Sequence, residues 1–335
     1  AESVSATFSS RMKGSIDKEY SAYKIVTGSG TQDLALVFGE GVGNEKYVDF
    51  KVTWTKECKV SIVKKDQDTG NALAGAVYGI YSDAACTKLI AEMPATDQNG
   101  ASQLTMEKTQ EVVYLKEISV PTGYQIDTKS YNVTLAIGKT TTKNATDKRT
   151  NAKLNIAKQD AETGNTVAGA VFGIYNAKDI QTKDGKVIVK ADTLLQEMTS
   201  DEKGQAACTL DLPLGSYYVK ELKAPDGFVS SDEVLRFDAS YQGQDVQTVT
   251  LKSVKKNQPT TVEITKSDAT TGVELDGAYL KVTDKDGNVV DSWTSSKDAP
   301  HVIKYLKVGE TYTLHEEFAP HGYLVANDVT FTVKD

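Results

Sequence analysis

Lys64, Lys158 and Lys266 each open the same string, Lys-x-Asp-x-x-Thr-Gly, and each is followed at equal spacing by Gly75-Ala76, Gly169-Ala170 or Gly277-Ala278. A second string, Glu-x-x-x-Pro-x-Gly-Tyr or Phe, starts at Glu117, Glu221 and Glu316. A lysine and a glutamic acid that recur together have a chemistry available once both leave water. Burial favours the neutral amine, a nucleophile, and the neutral carboxyl, a proton donor and shuttle.

Strand parity points both groups inward. Each lysine closes a run of alternating residues: Val60, Ile62, Lys64; Leu154, Ile156, Lys158; Val262, Ile264, Lys266. Residues two apart in a strand share a face, so the lysines lie in phase with the apolar side chains. Glu117 is in phase with Val113 and Leu115, Glu221 with Tyr217 and Val219, and Glu316 with Tyr312 and Leu314. A lone charge in an apolar interior is costly, so such groups pair or neutralise. Two readings stand at this point. One is a Lys–Glu salt bridge in each copy, or lysines that snorkel out at a sheet edge. The other is a reaction that consumes the charges, for which the pair lacks only an electrophile.

On these two motifs, over residues 58 to 335, the chain resembles the Cna B-type (SpaA-type) domains of Gram-positive surface adhesins and pilins. The resemblance implies an all-β fold, a tandem array of Ig-like (Cna B-type, prealbumin-like) β-sandwich domains. It also supplies the electrophile: members of the family join a first-strand Lys to a last-strand Asn or Asp by an intramolecular isopeptide bond, assisted by a Glu. Carried over, the nucleophiles are Lys64, Lys158 and Lys266, and the assisting acids are Glu117, Glu221 and Glu316. Asn257 is the expected acceptor in the second repeat. In the first, Asp147 is expected, with Asn144 as competitor, because the strand Thr140 to Lys148 is polar on both faces and alternation does not choose between them. The simpler reading of all three is turn residues. In the third repeat the last readable strand, Asp328 to Val333, corresponds to the family's penultimate one, so the partner of Lys266 is left open.

Such a bond closes most of a domain into one loop. By analogy with a disulfide it stabilises by roughly 4 to 5 kcal/mol. It also stops a pulled domain from extending past the cross-link.

The elements that position these residues read almost entirely as strands, β-branched and aromatic residues alternating with polar ones between turn signals such as Asp97 to Gly100 and Asp284 to Gly287. A chain of 335 residues with 25% charged and 39% apolar residues suits several small domains. The expected division is 1–57, a small or truncated N-terminal β-domain; 58–150, the first repeat; 151–258, the second; and 259–335, the third, without its last strand. Thr146 to Ala152 and Lys255 to Thr260 read as the linkers. In the first segment, Tyr23 to Val26, Asp33 to Phe38 and Tyr47 to Trp54 look strand-like.

The net charge of −8 argues against nucleic acid and anionic lipid, and no apolar run reaches the length of a membrane span. Cys58, Cys86 and Cys208 have no metal-ligand spacing; a Cys58–Cys86 disulfide and small buried thiols are both open. His301, His315 and His321 read as surface residues, and the Asp-rich turn Asp284 to Asn288 as a hairpin before a calcium loop. No metal site, cofactor motif or external-substrate catalytic constellation is read, so the chain is expected to be no enzyme beyond a single self-cross-linking turnover. The leading function is a structural stalk or adhesin subunit, extracellular and cell-wall-anchored through residues outside this chain by sortase and peptidoglycan. The alternatives are a module that binds a host extracellular protein or glycan, with Trp54 and Trp293 as candidate platforms, and a sortase-polymerised pilin subunit. For the latter, no convincing Tyr-Pro-Lys segment is found.

Overall fold

Alternation of apolar and polar residues over short runs leaves each strand one face to bury, and two sheets stacked face to face satisfy it. The structure, a computed structural model, describes residues 30–38, 46–54, 56–181 and 185–335, with side chains from residue 56 onward. Every regular element among them is a strand. The chain divides into two compact units, Ala1–Arg149 with Gly243–Asp245, and Thr150–Gln242 with Val246–Asp335.

In the first unit, Glu57–Asp66 lies between Ala101–Glu107, antiparallel, and Thr140–Asp147, parallel. The facing sheet runs Leu89–Glu92, Val77–Tyr81, Val112–Ser119, Ser130–Thr134. Val60 and Ile62 from the first sheet meet Tyr78, Ile80, Val113, Leu115 and Val133 from the second in one core. Each such aliphatic side chain, fully buried, stabilises by about 1.5 to 3 kcal/mol. Gly30–Phe38 and Lys46–Trp54 pair as an antiparallel hairpin; the Tyr23 to Val26 run lies outside the described residues.

The second unit repeats this plan and then varies it. Asn151–Asp160 pairs antiparallel with Gln205–Ala207 and parallel with Thr248–Asn257, over a sheet of Leu194–Thr199, Val171–Asn176, Gly215–Lys223 and Leu235–Ala239. Leu154, Ile156, Phe172, Ile174, Val219 and Phe237 fill the space between. Next, Thr261–Ile264 pairs with His301–Lys304 alone among the described residues, facing a sheet of Val289–Thr294, Tyr279–Thr283, Thr311–Phe318 and Val329–Thr332. Val282, Ile303, Leu306 and Tyr312 form its smaller core.

One expectation is corrected here. Lys255 to Asn257 is not linker but the end of a ten-residue strand, and Asn151-Ala152 already belongs to the next first strand. The connections are therefore shorter, 148–150 and 258–260. The parallel strand ends in polar residues on both faces because there one face is solvent and the other holds the buried polar groups described below, so that end imitates a loop in sequence.

All three cysteines are free thiols, Cys58 and Cys208 buried. Trp293, half-buried, stacks on His301 with ring centroids 4.1 Å apart, and His301 in turn bonds Asp291 at 2.8 Å. Asp284 to Asn288 is a hairpin turn, closed by Asp284 N–H to the Asn288 carbonyl at 3.0 Å.

Candidate functional site

The motif lysine ends its strand where the chain is pinned from two directions. Lys64 N–H donates to the Gly100 carbonyl at 2.7 Å, and the Lys64 carbonyl accepts from Leu73 at 3.0 Å. Gly100 has φ +72° and approaches so closely that a Cβ there would lie 2.2 Å from the Lys64 carbonyl oxygen. Gly204 repeats this against Lys158, with φ +70° and 2.6 Å. Only glycine fits a left-handed residue pressed onto backbone. The lysine backbone is thereby fixed before its side chain meets any partner.

The remainder of the motif builds a turn. Asp66 Oδ1 accepts the amides of Asp68 and Thr69 at 2.9 and 3.0 Å, Asp160 Oδ1 those of Glu162 and Thr163, and Asp268 Oδ1 those of Thr270 and Thr271. This is an Asx-type turn. The other oxygen of Asp66 accepts from the Tyr124 hydroxyl at 2.7 Å and the Arg149 guanidinium at 2.8 Å. Burial alone would raise this carboxyl; the hydroxyl, guanidinium and amide donors outweigh it and hold it at about 2. Phe228 occupies the place of Tyr124 in the second repeat and has no hydroxyl. There the bond to Asp160 Oδ2, 2.7 Å, comes from Tyr305 of the following repeat.

In the first repeat Lys64 Nζ is fully buried and reaches three oxygens: Asp147 Oδ1 at 2.5 Å, Glu117 Oε1 at 3.0 Å and the Tyr78 hydroxyl at 2.7 Å. Glu117 Oε2 accepts the Asp127 amide at 2.7 Å. Burial pushes the carboxyls of Glu117 and Asp147 up, against the pull of Lys64. Desolvation likewise raises the Tyr78 phenol, which stays protonated. Asn144 is exposed, so it is Asp147 and not its competitor that stands beside the amine.

The second repeat keeps the strand register and changes the contacts. Parallel pairing sets Asp66 opposite Asp147 and Asp160 opposite Asn257, so the two acceptor candidates hold equivalent positions. Asn257 Nδ2 donates to Glu221 Oε2 at 2.6 Å and to the Val229 carbonyl at 2.8 Å, and Glu221 Oε2 also accepts the Ser231 amide at 3.1 Å. Asn257 Oδ1 and Glu221 Oε1 are buried without a hydrogen-bond partner. Lys158, fully buried, donates to the Gln159 carbonyl at 3.1 Å and stands 5.2 Å over the Phe228 ring. Burial lowers its basicity, partly offset by Glu221 and Asp160.

In the third repeat Glu316 is buried and Lys266 is not: its side chain is 19% exposed and pairs with Glu316 at 3.2 Å. Lys266 is less covered than the inward burial expected of it: it lies two residues past Thr261–Ile264, a strand with no parallel neighbour among the described residues. Glu316 Oε2 accepts the Ala326 amide at 2.6 Å. Neither side chain has a bond to an Asn or Asp side chain among those described.

Several participants have no sequence signal of their own. Asp127, Ser231 and Ala326, each ten residues past its glutamate, meet it through a backbone N–H. Tyr78 is unmatched in the other copies, where Phe172 and Leu280 stand at that point of the strand. Lys255 is a second fully buried lysine, directly opposite Lys158.

Stacked antiparallel sheets with a parallel last strand beside the first, repeated along one chain, define a tandem prealbumin-like array. A family model described as the SpaA prealbumin-like fold domain matches residues 58–149, 152–255 and 260–335, and the chain belongs to that family. Among solved structures it is similar to the Bacillus anthracis TIE protein, with 25% identity and a TM-score of 0.60 over 92% of this chain and 59% of that one. The chain thus spans less than two thirds of that relative. BcpA, the major pilin subunit of Bacillus cereus, is 14% identical at a TM-score of 0.41, covering 84% of this chain and 96% of its own. A streptococcal ancillary pilin is 19% identical at 0.29, with 84% and 96% covered. No curated protein matches the sequence.

Proposed function

We propose that the chain is a structural stalk segment of a Gram-positive surface adhesin, exposed outside the cell and held to the wall through residues beyond this chain, whose sandwiches close themselves with Lys64–Asp147 and Lys158–Asn257 isopeptide bonds. The observation that carries this reading is the first-repeat site, where a fully buried amine lies 2.5 Å from one carboxyl and 3.0 Å from a second. An amine and two carboxyls held in contact in a buried site have the proximity that an intramolecular acyl transfer needs.

The chemistry balances without a cofactor. In the starting state Lys64 is the ammonium and passes a proton to a carboxylate, which burial favours. The neutral Nζ then attacks Cγ of Asp147 while protonated Glu117 donates to the carbonyl oxygen. The tetrahedral centre collapses with cleavage of the C–OH bond, Glu117 returning the amine's proton to the departing hydroxyl, and one water leaves. At Asn257 the C–NH2 bond breaks instead, and one ammonia leaves. Glu117 and Glu221 end as they began, so each site turns over once. Lys266 and Glu316 have the nucleophile and the acid, and react when an Asn or Asp is brought beside them.

Intact-mass measurement tests the reading. The expected mass is short of the sequence mass by one water and one ammonia, and Glu117→Ala or Glu221→Ala restores one loss each. A native protein at its full sequence mass would leave Lys64, Glu117 and Asp147 as a buried ion-pair cluster.

A further inference from the structure

The loop that covers the second-repeat site is fastened differently from its counterpart in the first. In the first repeat the Asp127 amide holds Glu117, and Asp127 is itself fixed by the Tyr131 hydroxyl on its Oδ2 at 2.6 Å. The matching residues in the second repeat are Ser231 and Leu235, which cannot make that bond. Something else must hold Ser231, because its N–H and the Val229 carbonyl together fix Glu221 and the Asn257 amide.

Lys255 does so. Its Nζ, fully buried, spends all three protons: on Ser231 Oγ at 2.8 Å, on the Glu233 carbonyl at 3.0 Å and on Glu233 Oε2 at 2.9 Å. The corresponding residue of the first repeat is Ala145, also buried and without a polar atom to offer. The two repeats thus exchange anchors as a set, an Asp–Tyr pair with Ala in one and a Ser–Leu pair with Lys in the other. An ammonium buried merely for stability is a poor bargain, since isolated buried charges destabilise. Three matched acceptors on one short loop give it a specific task.

We propose that Lys255 is the positioning residue of the second repeat, clamping residues 229–233 over Glu221 and Asn257 so that the acid and the amide meet Lys158 in reactive geometry. The proposal rests on the cross-linking reading above and adds a fourth side chain to it. Lys255 takes no part in bond making; it acts through Ser231.

The test follows closure in time. Full-length protein is synthesised in a cell-free system, sampled by intact mass, and digested to score the Lys158–Asn257 and Lys64–Asp147 peptides in the same molecules. Lys255→Met, similar in volume, should slow the Lys158–Asn257 bond at least about ten-fold in chains with native near-UV circular dichroism, and leave the Lys64–Asp147 bond unchanged. Lys255→Arg, which keeps charge and donors, should recover part of the rate. Grafting the first-repeat anchor, Ser231→Asp with Leu235→Tyr, into Lys255→Met should recover closure with no lysine present, which a role in stability alone does not foresee. Ser231→Ala gives an arm that leaves Lys255 in place and should show an intermediate rate. Wild-type closure in Lys255→Met, or equal slowing of both bonds, overturns the proposal. Wild-type protein that never closes the second repeat overturns the cross-linking reading instead, so the two failures are separable.

Discussion

The first and second repeats put a lysine, a glutamate and an acceptor in the same strand register, yet the lysine of one is gripped by two carboxyls and that of the other by none. Lys64 sits among Glu117, Asp147 and Tyr78. Lys158 has a backbone carbonyl and an aromatic face, while Glu221 is engaged by Asn257. The difference follows from one atom group. A carboxyl acceptor can pair with the amine, and burial must then drive a proton off it. An amide acceptor cannot, and burial lowers the basicity of Lys158 instead.

The largest expected effect breaks the first site. Glu117→Ala should abolish closure there, cost roughly 4 to 5 kcal/mol of cross-link stabilisation and add one water back to the mass, read by thermal unfolding and mass spectrometry of the same sample. If the variant melts with the native protein and its mass is unchanged, the acid is not needed. Asn257→Asp sharpens the contrast by giving the second site the first site's acceptor. Closure should then release water, and because the same amide results, the final mass should coincide with the wild type; a mass one water higher would show that the second site cannot use a carboxyl.

A smaller effect separates the two lysines by pH. In Asn257→Ala, which cannot close, Lys158 keeps a basicity lowered by burial. A depressed value means that the unfolded chain binds the proton first, so stability is full above the ordinary lysine value and is lost as pH falls toward the lowered one. Urea midpoints measured from alkaline to neutral pH should fall for this variant. A flat profile would mean that the amine is charged in the fold. The smallest effect concerns the turn. Tyr305→Phe removes a hydroxyl from Asp160 and should cost about 1 to 2 kcal/mol, with faster exchange of the Glu162 and Thr163 amides; adding Phe228→Tyr should restore their protection by supplying the hydroxyl from within the repeat, as Tyr124 does.

Much of this was legible in the sequence because it was written in alternation. Lys64, Lys158 and Glu117 were placed inward by their parity with Ile62, Ile156 and Leu115, and all are buried. Lys266, at the same parity, reaches the buried Glu316 yet stays partly exposed, since no parallel strand among the described residues covers it. Parity was mute on the acceptor strand, whose Thr, Lys and Asn residues carry no apolar phase; only pairing with the first strand distinguishes Asp147 from Asn144. Lys255 stands in phase with Val249 and Leu251 but is hidden among Lys252, Lys255 and Lys256, a run that reads as solvated. Backbone donors such as the Ser231 amide leave no trace in residue identity.

Tyr305 carries a positive φ of 65°, and Gly227 lies so close beneath it that a Cβ would come within 2.7 Å of its carbonyl oxygen. The last hydrogen bond of the Lys158 turn is thus donated from across a border that sequence motifs draw at residue 258. For protein engineers the practical result is that the second sandwich borrows a part. Cut free after Asn257, it leaves Asp160 one donor short, and a transplant that keeps the turn intact brings Tyr305 along or restores the hydroxyl at Phe228.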